Sequence, residues 1–368
     1  MSNRGYKNVF KYPKNEYFGR LNEGSVSDYI TDIYRFEAFC SCPSFLFRKK
    51  YCKHIKELFK EIGDELSYKV KVEKPAEKFD SSLEILNDLF QDSLYNSRQI
   101  VGVYGKPNIG KSLMATQEAC YLASQGKNVL YIDTEGSAES MFDKWGDVFE
   151  ERFGEGSGEI YIVTRLVLRD LLRFLGWDAD VVYKTSSSEK SSKKKGKLEF
   201  RVIQRLKTSQ LEECVKSDDI DFIILDSITS PLRRFTTEQQ NFPARASCTA
   251  FILKELIGMQ ENYNVGVLVT NHASWNPAAM PHEKGIENVE VTGGVVVHHY
   301  LKRILYLDRR GTTAAKNYRR FWLVRGENFP EWSGVRIAKI DDEGYHDILD
   351  KKKISSMLTS HEVALLEG

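Results

Sequence analysis

From about residue 83 onward the chain repeats one pattern: a continuous apolar run of strand length, then a stretch with helical spacing and a polar face, then another apolar run. The runs are QIVGVYG at 99–105, NVLYID at 128–133, EIYIVT at 159–164, DFIILD at 221–226, VGVLVTN at 265–271, RILYLD at 303–308, RFWLVR at 320–325 and GVRIAKI at 334–340. A strand with one face in water alternates apolar and polar residues, and these do not. The pattern therefore predicts a parallel or mixed sheet covered by helices on both faces, an α/β domain over 83–343, with 344–368 left as a C-terminal tail.

The front of the chain follows another rule. Short aromatic-rich runs broken by turns (YFGRLNEGSVSDYITDIYRFEAF) read as a β-hairpin, and KHIKELFKEIGDEL places Ile55, Leu58, Phe59 and Ile62 at helical spacing. Together they predict a small module over 1–68, joined by a charged linker, KVKVEKPAEKFDSS, at 69–82. Within the larger domain, KTSSSEKSSKKKGK at 184–197 is too polar to pack and is flanked by DVVY and LEFRVI, which predicts a solvated hairpin tip or an insertion. No internal repeat is visible.

Composition adds two constraints. The chain has 53 Lys and Arg against 52 Asp and Glu, so bulk charge does not drive it onto nucleic acid. Residues 1–60 nevertheless hold 12 basic against 6 acidic side chains, which makes the front the basic end. The absence of a long apolar run or a leader-like start predicts a soluble intracellular, cytoplasmic protein with no membrane partner. In such a reducing compartment, clustered cysteines point to metal rather than to disulfides. Cys40, Cys42, Cys52 and His54 form C-x-C-x9-C-x-H, a spacing that can close three sulfurs and one nitrogen tetrahedrally around a structural Zn²⁺. Cys120, Cys214 and Cys248 read as ordinary thiols.

GKPNIGKS fits the phosphate-loop pattern at Gly105, Gly110, Lys111 and Ser112, directly after an apolar run and before a helical one. Backbone N–H groups of Gly105, Lys106, Pro107, Asn108, Ile109, Gly110, Lys111, Ser112 and Leu113 are the candidate ATP-binding stretch, excepting the proline's missing donor. Lys111 would reach the β and γ phosphates, and Ser112 would ligate Mg²⁺. Asp226, ending DFIILD, would hold that Mg²⁺ through water. Glu135 in YIDTEG is the candidate base for the attacking water, and Asn271 and His272, ending VLVTNH, are candidate sensors of the γ phosphate.

The order and spacing of GKPNIGKS, YIDTEG, DFIILDSITSPLRR, FPARA, VLVTNH and VTGGVVVHH resemble the RecA/RadA recombinase family, on its archaeal and eukaryotic RadA branch. The resemblance implies an α/β fold with a RecA-type P-loop ATPase core, a mostly parallel twisted sheet flanked by helices, preceded here by the small zinc-binding β-hairpin and helix module. It implies DNA-stimulated ATP hydrolysis, loops facing single-stranded or duplex DNA at about 232–242 and 274–292, and Arg233, Arg234, Arg245 and Lys284 on DNA phosphates. His299 matches the family histidine that couples γ phosphate to DNA, and Phe329 with Pro330, in the segment Glu327-Asn328-Phe329-Pro330, resembles the cap over a neighbour's ATP. Assembly would be with itself or with RadA-like proteins. The sequence departs from the family in having Ala138-Glu139 where a Phe-Arg pair is usual, no helix-hairpin-helix domain in front, and no Phe-x-x-Ala tether in the linker. Those departures are the ones a RadA paralogue acting in recombinational DNA repair would show.

The cysteine and histidine pattern, with a hairpin before it and CKHI opening a helix, resembles the SWIM zinc finger over about 15–65. ATP, Mg²⁺ and Zn²⁺ are thus the expected cofactors. Three alternatives stay open on the sequence: a strand-exchange recombinase, a nucleotide-binding scaffold that hardly hydrolyses ATP and grips a partner through the zinc finger, and a RecA-core helicase or signalling ATPase.

Overall fold

The computed structural model describes residues 20–26, 29–34, 38–40, 76–184, 197–233, 242–275, 289–293, 295–309, 316–327, 329–356 and 358. Contacts divide the chain into two compact units, Met1–Pro75 and Ala76–Gly368. In the first, β1 (Arg20–Val26), β2 (Tyr29–Tyr34) and β3 (Ala38–Cys40) form an antiparallel sheet in that order. It contains the hairpin expected there. The helix expected around Ile55–Ile62 lies outside the described residues.

The second unit opens with β4 (Lys78–Phe79), α1 (Glu84–Phe90) and β5 (Tyr95–Asn96), then β6 (Ile100–Gly105), α2 (Lys111–Ser124), β7 (Val129–Asp133), α3 (Ala138–Phe153), β8 (Ile160–Thr164) and α4 (Leu168–Phe174). An antiparallel hairpin of β9 (Trp177–Lys184) and β10 (Lys197–Arg205) follows, then α5 (Gln210–Ser217), β11 (Phe222–Asp226), α6 (Phe242–Tyr263), β12 (Gly266–Trp275), β13 (Val289–Val291) and α7 (Val295–Tyr300). The chain finishes through β14 (Arg303–Asp308), β15 (Tyr318–Arg325), β16 (Gly334–Asp341), β17 (Gly344–Asp347) and α8 (Lys351–Ser356). Every apolar run singled out in the sequence is a strand of one sheet, ordered β17-β16-β15-β14-β6-β12-β11-β7-β8, with β13 pairing β12 from outside that path. The stretch from β14 to β8 is parallel, and β15 to β17 extend it antiparallel.

Alternation explains why the runs are continuous. Along β11, Ile223 and Leu225 enter the core on one face of the sheet, while Phe222 and Ile224 enter the core on the other, where α1 and α2 pack. Both faces are dry, so both registers of the strand are apolar. Phe222 sits edge-on to Phe79 at 5.4 Å and to Tyr95 at 5.0 Å, which ties β4 and β5 to the sheet.

Two boundaries differ from the sequence reading. The expected linker at 69–82 ends inside the second unit, because Phe79 is buried and Lys78–Phe79 pairs with Tyr95–Asn96. The expected tail from 344 contributes an edge strand, β17, in which Tyr345 is fully buried. Charged neighbours in one case and the short polar sequence GYHD in the other hide the pairing. The polar run at 185–196 lies outside the described residues, and the strands on either side of it form the hairpin.

One buried acid fastens the start of this unit to α2. Glu118 is fully buried and accepts hydrogen bonds from Ser81 Oγ (2.8 Å), Ser82 Oγ (2.7 Å) and the Ser82 backbone N–H (3.2 Å). Burial pushes its carboxyl up to about 7, against the pull of the serine hydrogen bonds. The folded protein therefore binds this proton more tightly than the unfolded chain does. Stability from Glu118 is complete below the unfolded carboxylate range and is lost as pH rises through about 7. The expected loss is on the order of 3 kcal/mol. Melting temperature measured from pH 5 to pH 8 should fall in the wild type and fall clearly less in Glu118→Gln; equal slopes would show that Glu118 is not the titrating group.

Candidate nucleotide site

The strands β6, β7, β11 and β12 are neighbours in the sheet and parallel, so their C-terminal ends open on one edge. A parallel α/β sheet binds its ligands at that edge. Gly105, Asp133 and Asp226 are the last residues of β6, β7 and β11, while Asn271–His272 lie level with Tyr104–Gly105 inside β12, which continues to Trp275, and the sequence motifs meet there.

The phosphate loop runs from Gly105 into the N-terminus of α2. Two glycines are needed for separate reasons. A Cβ at Gly105 would lie 2.5 Å from the Leu307 carbonyl oxygen, and Gly110 has φ +112°, with a Cβ there 2.4 Å from the Tyr345 hydroxyl. Asn108 also takes a left-handed conformation, φ 59°, which asparagine tolerates better than most side chains. The loop is braced from behind: Arg319 Nε donates to the Ile109 carbonyl at 2.7 Å and Tyr345 Oη donates to the Gly110 carbonyl at 3.2 Å. Gln117 on α2 holds Tyr345 through both backbone groups, at 2.7 and 3.1 Å. Neither brace is visible in the sequence, since each depends on a residue more than two hundred positions away.

Lys111 Nζ lies over the loop and donates to the carbonyls of Gly105 (3.2 Å) and Lys106 (3.1 Å). Burial pulls its ammonium below the usual pKa, opposed by Asp226 and Glu135 and assisted by Arg233. Asp226 is buried, and burial raises its carboxyl despite hydrogen bonds from Thr270, Ser112 and Tyr131, the last at 2.9 Å. A buried acid of this kind beside a serine hydroxyl and a lysine lacks enough positive charge around it. Mg²⁺ fits that deficit, and Ser112 with Asp226 are the residues that would hold it.

Glu135 is positioned by residues that the sequence reading passed over. Asp133 ends β7 and accepts from the N–H groups of Glu135 (2.9 Å) and Gly136 (2.8 Å) on one oxygen and of Ala138 (3.0 Å) on the other, fixing the turn into α3. Thr134 and Ser227 lock this turn to the end of β11: Thr134 Oγ1 donates to the Ser227 carbonyl (2.6 Å) and accepts from the Ser227 N–H (2.9 Å). The Glu135 carboxylate then accepts from Ser227 Oγ (2.7 Å), meets His272 Nε2 at 3.2 Å and pairs with Arg233 at 3.3 Å. The His272 contact first, with Ser227 and Arg233, lowers its pKa to about 2 against the opposing effect of burial. The guanidinium of Arg233 also abuts His272 Nε2.

Other candidates stand elsewhere. Asn271 is buried, with its amide donating to the Thr292 carbonyl (2.9 Å) and its oxygen accepting from the His272 N–H (2.7 Å), so it shapes the strand end. His299 is exposed on α7 and packs edge-on to Tyr300 at 5.3 Å. Arg245 is half-buried in α6, and burial lowers its pKa. Phe329 packs edge-on to Phe90 of its own chain at 6.2 Å, and Pro330 beside it is exposed. Arg234, Lys284, Asn328 and three zinc-ligand candidates, Cys42, Cys52 and His54, lie outside the described residues; Cys40 ends β3.

A mostly parallel sheet flanked by helices, with a phosphate loop between its first central strand and helix, defines a RecA-type P-loop ATPase fold. The family model described as AAA domain matches residues 67–278, more than half of the sequence, and the chain belongs to that family. A SWIM zinc finger model matches residues 29–56. The chain is similar to the DNA repair and recombination protein RadB of Methanococcus maripaludis, 23% identical over 254 residues, covering 69% of this chain and 93% of the relative. RadB of Methanobrevibacter smithii is 23% identical over 214 residues, 57% of this chain and 73% of the relative. RadB of Methanothermobacter thermautotrophicus is 24% identical over 211 residues, with 57% and 73% covered. A solved structure titled as the RadB recombinase aligns at a TM-score of 0.48 and 21% identity over 73% of this chain and 98% of its own. Among the described residues no helix is long and apolar enough to cross a membrane.

Proposed function

We propose that this protein is an ATP-hydrolysing RadA-type paralogue that binds DNA and assists recombinational repair, in assembly with itself or with a related recombinase. The observation that carries the reading is the convergence of Lys111, Ser112, Asp226 and Glu135 at the C-terminal edge of the parallel sheet. In this reading the phosphate loop cradles the phosphates with backbone N–H groups at the start of α2, and Lys111 moves from two carbonyl oxygens onto phosphate oxygens. Mg²⁺, when bound, neutralises charge that develops on the phosphates. Glu135, aimed by Asp133 and Ser227, orients the attacking water and accepts its proton. The relatives carry names of DNA repair and recombination proteins, which supports placing that hydrolysis in DNA repair.

The basic front end and the matched SWIM finger support a second contact, to DNA or to a partner protein, made by the first unit. Zn²⁺ is its proposed structural metal, on Cys40, Cys42, Cys52 and His54. A scaffold with little hydrolysis is the second reading, favoured by one observation: Glu135 is already engaged by both His272 and Arg233.

ATP turnover by the zinc-loaded protein, measured with no DNA, with single-stranded DNA and with duplex DNA, tests the choice. Turnover raised severalfold by single strands is the expected result. Negligible turnover in all three conditions would move the scaffold reading ahead.

A further inference from the structure

The charge of Arg233 invites assignment to DNA phosphates, yet its guanidinium lies against the carboxylate of Glu135. It follows a short helical turn, Ser230–Leu232, anchored by the buried Pro231 and Leu232. From there the guanidinium reaches Glu135 Oε1 at 3.3 Å, abuts His272, and repels the Lys111 ammonium. Two cations therefore face one space at the strand ends, and each rests on a stand-in acceptor: Lys111 on the neutral carbonyls of Gly105 and Lys106, and Arg233 on the carboxylate of Glu135.

Taking the ATPase reading of the site as given, we propose that Arg233 is a catalytic residue that recognises the γ phosphate of ATP bound to its own chain, leaving Glu135 when that phosphate arrives. The exchange is electrostatically downhill. Arg233 is about half exposed, at 55%, so its pair with Glu135 is weakly held. A terminal phosphate carries more charge than one carboxylate and matches the guanidinium fork in geometry. It also relieves the repulsion between Arg233 and Lys111 by placing an anion between them.

One movement then does two things. Positive charge reaches the oxygens of the group being transferred, and the Glu135 carboxylate, still held by Ser227 and His272, loses its guanidinium partner and becomes a stronger base toward water. The water oxygen bonds to the γ phosphorus, the bond from that phosphorus to the β,γ-bridging oxygen breaks with its electron pair leaving on ADP, and the water proton passes to Glu135. ADP lacks the terminal group, so with ADP bound Arg233 stays on Glu135. A residue on the DNA would show no such preference between nucleotides.

The test is calorimetric binding of ADP and of a non-hydrolysable ATP analogue to the full-length wild type, Arg233→Ala and Arg233→Lys, with oligo-dT affinity and turnover measured on the same samples. Arg233→Ala should weaken the ATP analogue by about tenfold or more. ADP affinity should stay within about twofold of wild type, which also reports that the site is folded, and turnover should fall. Arg233→Lys should recover part of the discrimination, since it keeps the charge and loses the fork.

An unchanged ratio between the two nucleotides, with weakened oligo-dT binding, would return Arg233 to the DNA and overturn the proposal. A rise in turnover in Arg233→Ala would overturn it as well, because the residue would then be only a brake. Wild-type protein that binds neither nucleotide would instead bring down the ATPase reading on which the proposal stands, a different failure from an unchanged ratio.

Discussion

Glu135→Gln is expected to lower ATP turnover by about 10³-fold while leaving ATP affinity near that of wild type. Gln keeps an oxygen that can accept from Ser227 Oγ, now 2.7 Å away, and the turn set by Asp133 and Thr134 is untouched by the change. What the variant loses is the ability to take a proton. Single-turnover hydrolysis with a separate binding measurement checks both halves. Turnover within a few fold of wild type would place the base elsewhere. The pH profile adds a second check. Contacts with His272, Ser227 and Arg233 hold the Glu135 carboxyl at about 2, so in the free enzyme it stays ionised at any working pH. Its share of folding stability is present above the ordinary carboxylate range and disappears only as pH falls through about 2. An acid limb in kcat/KM above about pH 4 would therefore belong to another group.

That same low pKa also states a problem for catalysis. A carboxylate held by three partners is a poor base until at least one of them leaves. Arg233 is more exposed than His272, with 55% of its side chain accessible against 15%, and so is the partner that can leave without disturbing the sheet. The resting arrangement and the hydrolytic one then differ by a side-chain movement at the end of a rigid framework. The alternative scaffold reading corresponds to a site in which that movement does not occur.

The legible part of this molecule was the part encoded locally. Strands buried on both faces announce themselves as apolar runs such as DFIILD, and the glycines of GKPNIGKS mark backbone that must bend around an anion. The order of these runs placed the ends of β6, β7, β11 and β12 on one edge. Contacts between distant segments were not legible. Tyr345 sits in a short polar strand that resembles a tail, yet it braces Gly110 across the fold. Arg319 reads as one charge in YRRFW, and its bond to the Ile109 carbonyl depends on how β15 passes behind the loop. Charge was legible at Arg233 and direction was not, because a sequence gives the reach of an arginine but not the anion that it faces. Asn271 shows the same limit: its place at a strand end suggested a sensor, and the Thr292 carbonyl turns its amide to a structural contact.

Cys52→Ser is expected to release the zinc and unfold the first seventy or so residues, with the ATPase unit left intact. The physical case begins with size. The unit Met1–Pro75 is far smaller than the unit beginning at Ala76, and its described strands form a short antiparallel sheet of β1, β2 and β3. A sheet of that extent has little core and is marginal without further support. A structural Zn²⁺ can contribute an apparent ~10–16 kcal/mol to so small a fold. Cys40 closes β3, and in the spacing C-x-C-x9-C-x-H the other proposed ligands are Cys42, Cys52 and His54, a set that would fill all four tetrahedral positions. Serine offers a hard oxygen that stays protonated at neutral pH, so it does not replace the thiolate. Metal analysis of the full chain should find close to one zinc in wild type and far less in the variant. The separation of contacts at Pro75 and Ala76 predicts that the thermal transition of the larger unit, followed by its stabilisation with ADP, persists in both. Full zinc retention in Cys52→Ser would remove Cys52 from the ligand set. Loss of the ADP-stabilised transition along with the zinc would show that the two units depend on each other for folding.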